Sequence, residues 1–192
     1  MGAAAVLAAS WVVVEAAEKV PPWEEWAFRR VNDLPDVVWP VAWAPMQLGS
    51  LAGSLCVVVV ASAVSGDRRL RWAALGASQA GWWAAKLVKV LVSRARPGGL
   101  LPDVHLREDA RGRGYLSGHS AVAFALASVV APTLPRRWQA GPFAAATGVA
   151  FARVYAGAHL PIDVVGGAGL GVLLGTSARW VAGLGGAGVP PR

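Results

Sequence analysis

The chain alternates long apolar runs with short polar or proline-containing connections. The runs are apolar on all sides, without the i, i+3, i+4 stripe of a surface helix. Runs approaching about 20 residues match the length of a membrane-crossing helix. They predict about six spans, at 2–18, 37–65, 70–93, 117–134, 139–157 and 160–182. The first is short for a full crossing and lacks the basic start of a cleaved leader, so it reads as a retained helix. Residues 21–31 break the pattern: Trp23, Trp26 and Phe28 are interleaved with Glu24, Glu25, Arg29 and Arg30. That mixture suits a helix lying in the membrane interface; guiding substrate out of the lipid phase is a second reading. The predicted fold class is all-α, a polytopic helical membrane bundle, with residues 1–192 as one domain. The Gly/Pro-rich segment 183–192 reads as a frayed terminus.

Composition strengthens the membrane reading. Hydrophobic residues make up 55% of the chain and charged residues only 15%, against about 25% charged in a soluble domain. The single cysteine, Cys56, excludes an intrachain disulfide and argues against a cysteine metal site. Its place in the run LCVVVV reads as a buried, inert thiol. The formal charge of +7 does not point to nucleic acid, because the cations sit at segment ends and form no basic stripe with interleaved aromatics. Arg68, Arg69 and Arg71 in one connection, and Arg136 and Arg137 in another, place those connections in the cytoplasm by the positive-inside rule. Trp72, Trp138 and Trp180 then mark the inner interface, and Trp23, Trp26 and Trp39 the outer one.

That orientation brings three polar clusters to the outer side. The first is residues 89–97, KVLVSRARP. Lys89 and Arg96 lie seven positions apart, on one helix face, with Lys86 close to it and Pro97 ending the helix. They suit phosphate binding, but basic side chains near helix ends also snorkel to head groups; both readings stand, and Arg94 fits snorkelling better than Arg96. The second cluster is residues 115–120, YLSGHS. Ser117 is placed to cap a helix, with the Gly118 and His119 N–H groups facing an anion. His119 is placed to give a proton to a leaving oxygen. A capping serine beside an interfacial histidine is the plainer alternative. The third is residues 153–163, RVYAGAHLPID. His159 and Asp163 are one helical turn apart, and a carboxylate on one imidazole nitrogen leaves the other as a nucleophile. Arg153 supplies a guanidinium fork matching phosphate oxygens. A structural His–Asp cap with a snorkelling arginine is the alternative here.

In order, these clusters read K-x6-RP, then SGH, then R-x5-H-x3-D. This resembles the three-part signature of the type 2 phosphatidic acid phosphatase (PAP2) superfamily, usually KxxxxxxRP, PSGH and SRxxxxxHxxxD. Lys89, Arg96, Pro97, Ser117, Gly118, His119, Arg153, His159 and Asp163 match. Leu116 stands where proline is usual and Ala152 where serine is usual.

The resemblance implies a helical membrane lipid phosphatase acting through a phosphohistidine. His159 would be the nucleophile, Asp163 its orienting carboxylate and His119 the general acid and then base. Lys89, Arg96, Arg153, Ser117 and the Gly118 N–H would bind phosphoryl oxygens. No metal and no cofactor is implied, and the partners are a lipid phosphate and membrane lipids, not nucleic acid. Prenyl diphosphates such as undecaprenyl diphosphate, phosphatidylglycerophosphate and phosphatidate all fit as substrates. The implied location is the cytoplasmic membrane, with the site facing outward. Rival readings are a lipid-linked phosphotransferase, a head-group transporter that does not hydrolyse, and an inactive scaffold. Soluble haloperoxidase relatives share the motif but not the lipid-facing surface. The outer loop, 98–114, reads as solvated, with head-group selection by His105 and Arg107 as its sharper reading.

Overall fold

The computed structural model describes residues 2–17 and 19–184. Most of the predicted frayed tail, from residue 185 on, lies outside them. The described residues form eight α-helices joined by short 3-10 turns and irregular loops, in line with the all-α expectation. The helices are α1 (Ala3–Ala16), α2 (Pro22–Asn32), α3 (Trp39–Met46), α4 (Leu51–Ser65), α5 (Arg68–Leu91), α6 (Gly118–Val130), α7 (Ala140–Tyr155) and α8 (Pro161–Val181).

Every predicted span coincides with helix, but not always with a single one. Among the described residues, α8 alone is long and apolar enough to cross a membrane unbroken. The predicted 37–65 span is two helical stretches, Asp36–Gly49 and Leu51–Ser65, bent by 70°. Its break has local causes. Pro45 lies inside α3 without an N–H to donate. The chain then tightens through Gln47–Gly49, and Ser50 restarts the helix by accepting the Gly53 N–H at 3.0 Å.

Helix α6 is the centre of the fold. It packs against α5, α7 and α8, and its Ala121, Val122, Ala125 and Val129 have no exposed surface. Helix α8 approaches it through Gly167, Gly171 and Gly175, spaced one turn apart. A Cβ on these glycines would overlap the carbonyl oxygens of Ser117, Ala121 and Ala125 respectively. Three bare positions on one face therefore set the closeness of the two helices that carry the site. Helix α1 covers the other side of α8, and Ser10 Oγ lies 2.8 Å from the Tyr115 hydroxyl.

Helix α2 carries a buried face that the interface-helix expectation did not include. Trp23 and Trp26 are indeed exposed, but Glu24, Phe28 and Asn32, four apart, form a fully buried face. Phe28 packs with Val154, Leu160 and Val164. The Asn32 amide donates to the carbonyls of His105 and Tyr155 and accepts the His105 N–H. Helix α2 thus ties the 98–114 loop, called the outer loop after its expected side, to the α7–α8 connection. Cys56 is exposed, not buried: α4 packs through the face that carries Ser54, Val58 and Ser62, and Cys56 falls on the opposite side of the helix.

Candidate active site

The three motif segments meet where α5 ends, α6 and α8 begin and α7 ends. The return of the outer loop forms one wall. Ala95 pairs with Arg113 in an isolated antiparallel bridge, and the Gly114 N–H donates to the Arg94 carbonyl at 2.7 Å. A side chain at Gly114 would strike the Ala95 carbonyl at 2.6 Å and approach Asp163 Oδ2 at 3.2 Å. Only glycine lets this strand lie so close to the Asp163 carboxylate.

Ser117 caps α6 as expected, its Oγ accepting the Ser120 N–H at 3.4 Å and the Ser120 hydroxyl at 3.1 Å. Its own N–H donates to the Asp163 carbonyl at 2.9 Å, which pins the start of α6 to the first turn of α8. The N–H groups of Gly118 and His119 belong to that first turn and have no partner within the helix. The His119 ring packs edge-on against Trp82, with centroids 6.2 Å apart.

His159 sits in the α7–α8 connection, 2% exposed, with its backbone N–H held by the Arg153 carbonyl at 3.2 Å. Its Nδ1 lies 3.5 Å from Asp163 Oδ2 and makes no hydrogen bond among the described residues. Burial, then the cations of Lys89, Arg153 and Arg96, hold its pKa well below the ordinary imidazole value. The ring is therefore neutral at physiological pH. Asp163 is fully buried; its Oδ2 accepts the Leu160 N–H at 2.9 Å, which closes the first turn of α8.

The three cations converge on the same space. Lys89 Nζ donates to the carbonyls of Arg113 at 3.0 Å and Gly114 at 2.8 Å. Arg96 Nη1 donates to the Ala158 carbonyl at 3.0 Å, beside His159. Arg153 is 5% exposed and pairs through Nη1 with Glu108 of the outer loop. The Nε atoms of Arg96 and Arg153 are buried and unpartnered among the described residues. Buried guanidinium donors without acceptors are costly, and a bound oxyanion would satisfy them.

Three residues that match no signature position belong to this site: Arg94, Glu24 and Glu108. Arg94 does not snorkel: its side chain is 9% exposed and bridges two carboxylates, Asp163 Oδ1 at 2.9 Å and both oxygens of Glu24. Glu108 is the third. An RxR pair before Pro97 and a carboxylate in the outer loop were visible, but nothing local shows which way each side chain turns. The outer loop is also not merely solvated. Arg107 donates to Asp36 and to the carbonyls of Asn32, Leu34 and Tyr155, and lies 4.0 Å from the Tyr155 ring centroid. With its donors occupied, Arg107 anchors the loop and is not free to read a head group. His105 remains exposed, 3.9 Å from Asp33. Lys86 turns away to the faces of Trp82 and Trp83.

The family model described as the PAP2 superfamily matches residues 48–184, which include all three motif segments. The fold also matches solved structures. One is LpxE from Aquifex aeolicus, at 23% identity and a TM-score of 0.78, covering 85% of this chain and 99% of that one. Another is described as a transmembrane PAP2-type phosphatidylglycerolphosphate phosphatase from Bacillus subtilis, at 21% identity and a TM-score of 0.75. It covers 93% of this chain and 94% of its own. A sequence search of curated proteins gave no match. With the family model covering most of its length and the fold matching over nearly all of it, this chain belongs to the PAP2 superfamily.

Proposed function

We infer that the protein is a membrane-embedded, metal-independent phosphatase that hydrolyses a lipid phosphate or diphosphate through a phosphohistidine. The observation that carries this reading is the buried His159, 3.5 Å from Asp163, sharing its site with two arginines whose buried Nε donors have no acceptor among the described residues. A phosphoryl group placed there satisfies both arginines and presents phosphorus to the imidazole. Names of the matched structures support the class: one is a phosphatidylglycerolphosphate phosphatase.

In the first step, His159 Nε2 donates its lone pair to phosphorus and the bond from phosphorus to the leaving oxygen breaks. His119 gives that oxygen its proton, whether the leaving group is an alcohol or a second phosphate. Asp163 accepts the Nδ1 hydrogen and stabilises the ring as it gains positive character. The 3.5 Å separation must shorten by about half an ångström to make that bond fully. Lys89, Arg96, Arg153, Ser117 and the Gly118 N–H bear the charge on the equatorial oxygens. In the second step His119 takes a proton from water, which attacks phosphorus; the P–N bond breaks and phosphate leaves. About six helical segments embed this site in the cytoplasmic membrane, with α8 crossing alone and the α3–α4 pair as a bent element, the site facing outward.

The test is phosphate release by purified protein in detergent, with and without EDTA, from prenyl diphosphates, phosphatidate and phosphatidylglycerophosphate. EDTA-resistant release that disappears in His159→Ala supports the reading. Binding without release would favour the transporter, and transfer of phosphate to an added alcohol the phosphotransferase.

A further inference from the structure

Asp163 carries two oxygens with separate duties. Oδ2 faces His159 and accepts the Leu160 N–H; Oδ1 accepts from Arg94 Nη1 at 2.9 Å. Arg94 is not a free cation, since both oxygens of Glu24 take its guanidinium hydrogens. Glu24 in turn has no exposed surface and accepts the Ile162 N–H at 3.0 Å, inside the same first turn of α8 that holds Asp163. Three charges and one backbone amide, from α2, the α5–α6 loop and α8, therefore form a closed chain behind the His159–Asp163 pair.

We propose that Glu24 and Arg94 are positioning residues for the phosphoryl transfer, holding Asp163 in the rotamer and charge state that His159 requires. This rests on the reading of His159 as nucleophile. Arg94 alone would fix Oδ1 but would also draw electron density away from the carboxylate. Glu24 offsets that charge, so that Asp163 is oriented by a guanidinium without losing basicity toward the imidazole. Its carrier, α2, exposes Trp23 and Trp26 on the opposite face. The residue that steadies the Asp163 carboxylate is thus mounted on a helix whose opposite face carries two exposed tryptophans.

The experiment compares full-length wild type, Glu24→Gln and Arg94→Lys in detergent. It uses farnesyl diphosphate and dioleoyl phosphatidate as probes and inorganic phosphate as a competitive inhibitor. Glu24→Gln keeps the shape of the side chain and removes its charge; Arg94→Lys keeps the charge and removes the fork. For each variant that stays folded, kcat falls about 10–100-fold, taking as a guide the loss seen when partners that orient metal-bound side chains are removed. KM and the inhibition constant for phosphate stay within about twofold, because the Arg96–Arg153 cradle is untouched. The proposal is overturned if kcat stays within twofold of wild type. It is also overturned if KM and phosphate inhibition worsen in step with kcat, or if neither variant folds, since each means a purely structural role. An inactive wild type removes the proposed function itself; an active wild type with insensitive variants removes only this inference.

Discussion

Glu108 of the outer loop lies against Arg153 Nη1, so a carboxylate occupies part of the guanidinium that the proposed mechanism assigns to phosphate. Arg153 is nearly buried, while Glu108 is about one-fifth exposed. An anion arriving at Arg153 must compete with this carboxylate or push it aside. Glu108→Gln removes the competing charge and leaves a neutral acceptor. We expect inhibition by inorganic phosphate to tighten about 3- to 10-fold, equivalent to about 1 kcal/mol. Weaker inhibition in the variant would mean that Glu108 orients Arg153 and does not compete at it.

The two histidines separate by leaving group. In the proposed mechanism His119→Ala loses the proton for the departing oxygen, and activity on a lipid monophosphate should fall about 10²- to 10⁴-fold. With p-nitrophenyl phosphate the leaving group needs no proton, so the first step survives and water attack becomes limiting. A burst of nitrophenolate equal to the enzyme present, followed by slow turnover, is expected. His159→Ala should show neither burst nor turnover. A burst that persists in His159→Ala would place the nucleophile elsewhere.

Much of this arrangement was legible from spacing. Asp163 lies in the first turn of α8 with His159 four residues before it, just ahead of the helix, and Ser117 precedes an apolar run, so local sequence alone brings these groups to helix ends. What escaped was non-local. Glu24 reads as one more charge on an amphipathic helix, and its partners Arg94 and Ile162 lie 70 and 138 residues away. Arg94 looks like an interfacial cation until α2 is docked. The α3–α4 break hides in a run that is apolar on both sides. Its tight spot, Gly49, is set by the His119 carbonyl, which a Cβ there would meet at 2.6 Å.

The pH response follows from the depressed pKa of His159, caused first by burial and then by Lys89, Arg153 and Arg96. Without substrate, His159, the proposed nucleophile, stays unprotonated until well below the ordinary imidazole value of about 6.5. The acid limb of kcat/KM assigned to His159 should therefore lie well below pH 6.5. Stability shifts in the same window. Above about pH 6.5 neither state binds the proton; below it the unfolded chain does and the folded one does not. Thermal stability should fall on acidification from pH 7 to 5, and His159→Gln should flatten that slope. An unchanged slope would show that other groups govern the acid response.

Glycines along α8 distinguish packing from catalysis. Gly167 abuts the Ser117 carbonyl and Ser120, at the site end of α6, while Gly175 abuts Ala125 and Ser128 farther along. Alanine at either position forces the helices apart and should cost about 1–3 kcal/mol. Only Gly167→Ala also displaces Ser117 and, through its N–H, the Asp163 backbone. We expect similar losses in melting temperature but a kcat deficit, per folded molecule, confined to Gly167→Ala. Equal kcat deficits would mean that helix spacing as a whole, not the Ser117 contact, governs the site.

Orientation in the membrane is testable on the outer loop. Val104 is a poor reporter because it packs with Phe28 and Leu160, whereas the Asp109 side chain is 70% exposed. Cys56 is itself exposed and must first be replaced by serine. In that background, Asp109→Cys should be labelled by an impermeant maleimide on intact cells, and Arg137→Cys only after lysis. The expectation follows from the arginines at 68, 69, 71, 136 and 137, which the positive-inside rule retains in the cytoplasm. The reverse pattern would turn the site inward. It would then require a substrate phosphate presented from the cytoplasmic leaflet, and the exposed Trp23 and Trp26 of α2 would belong to that interface instead.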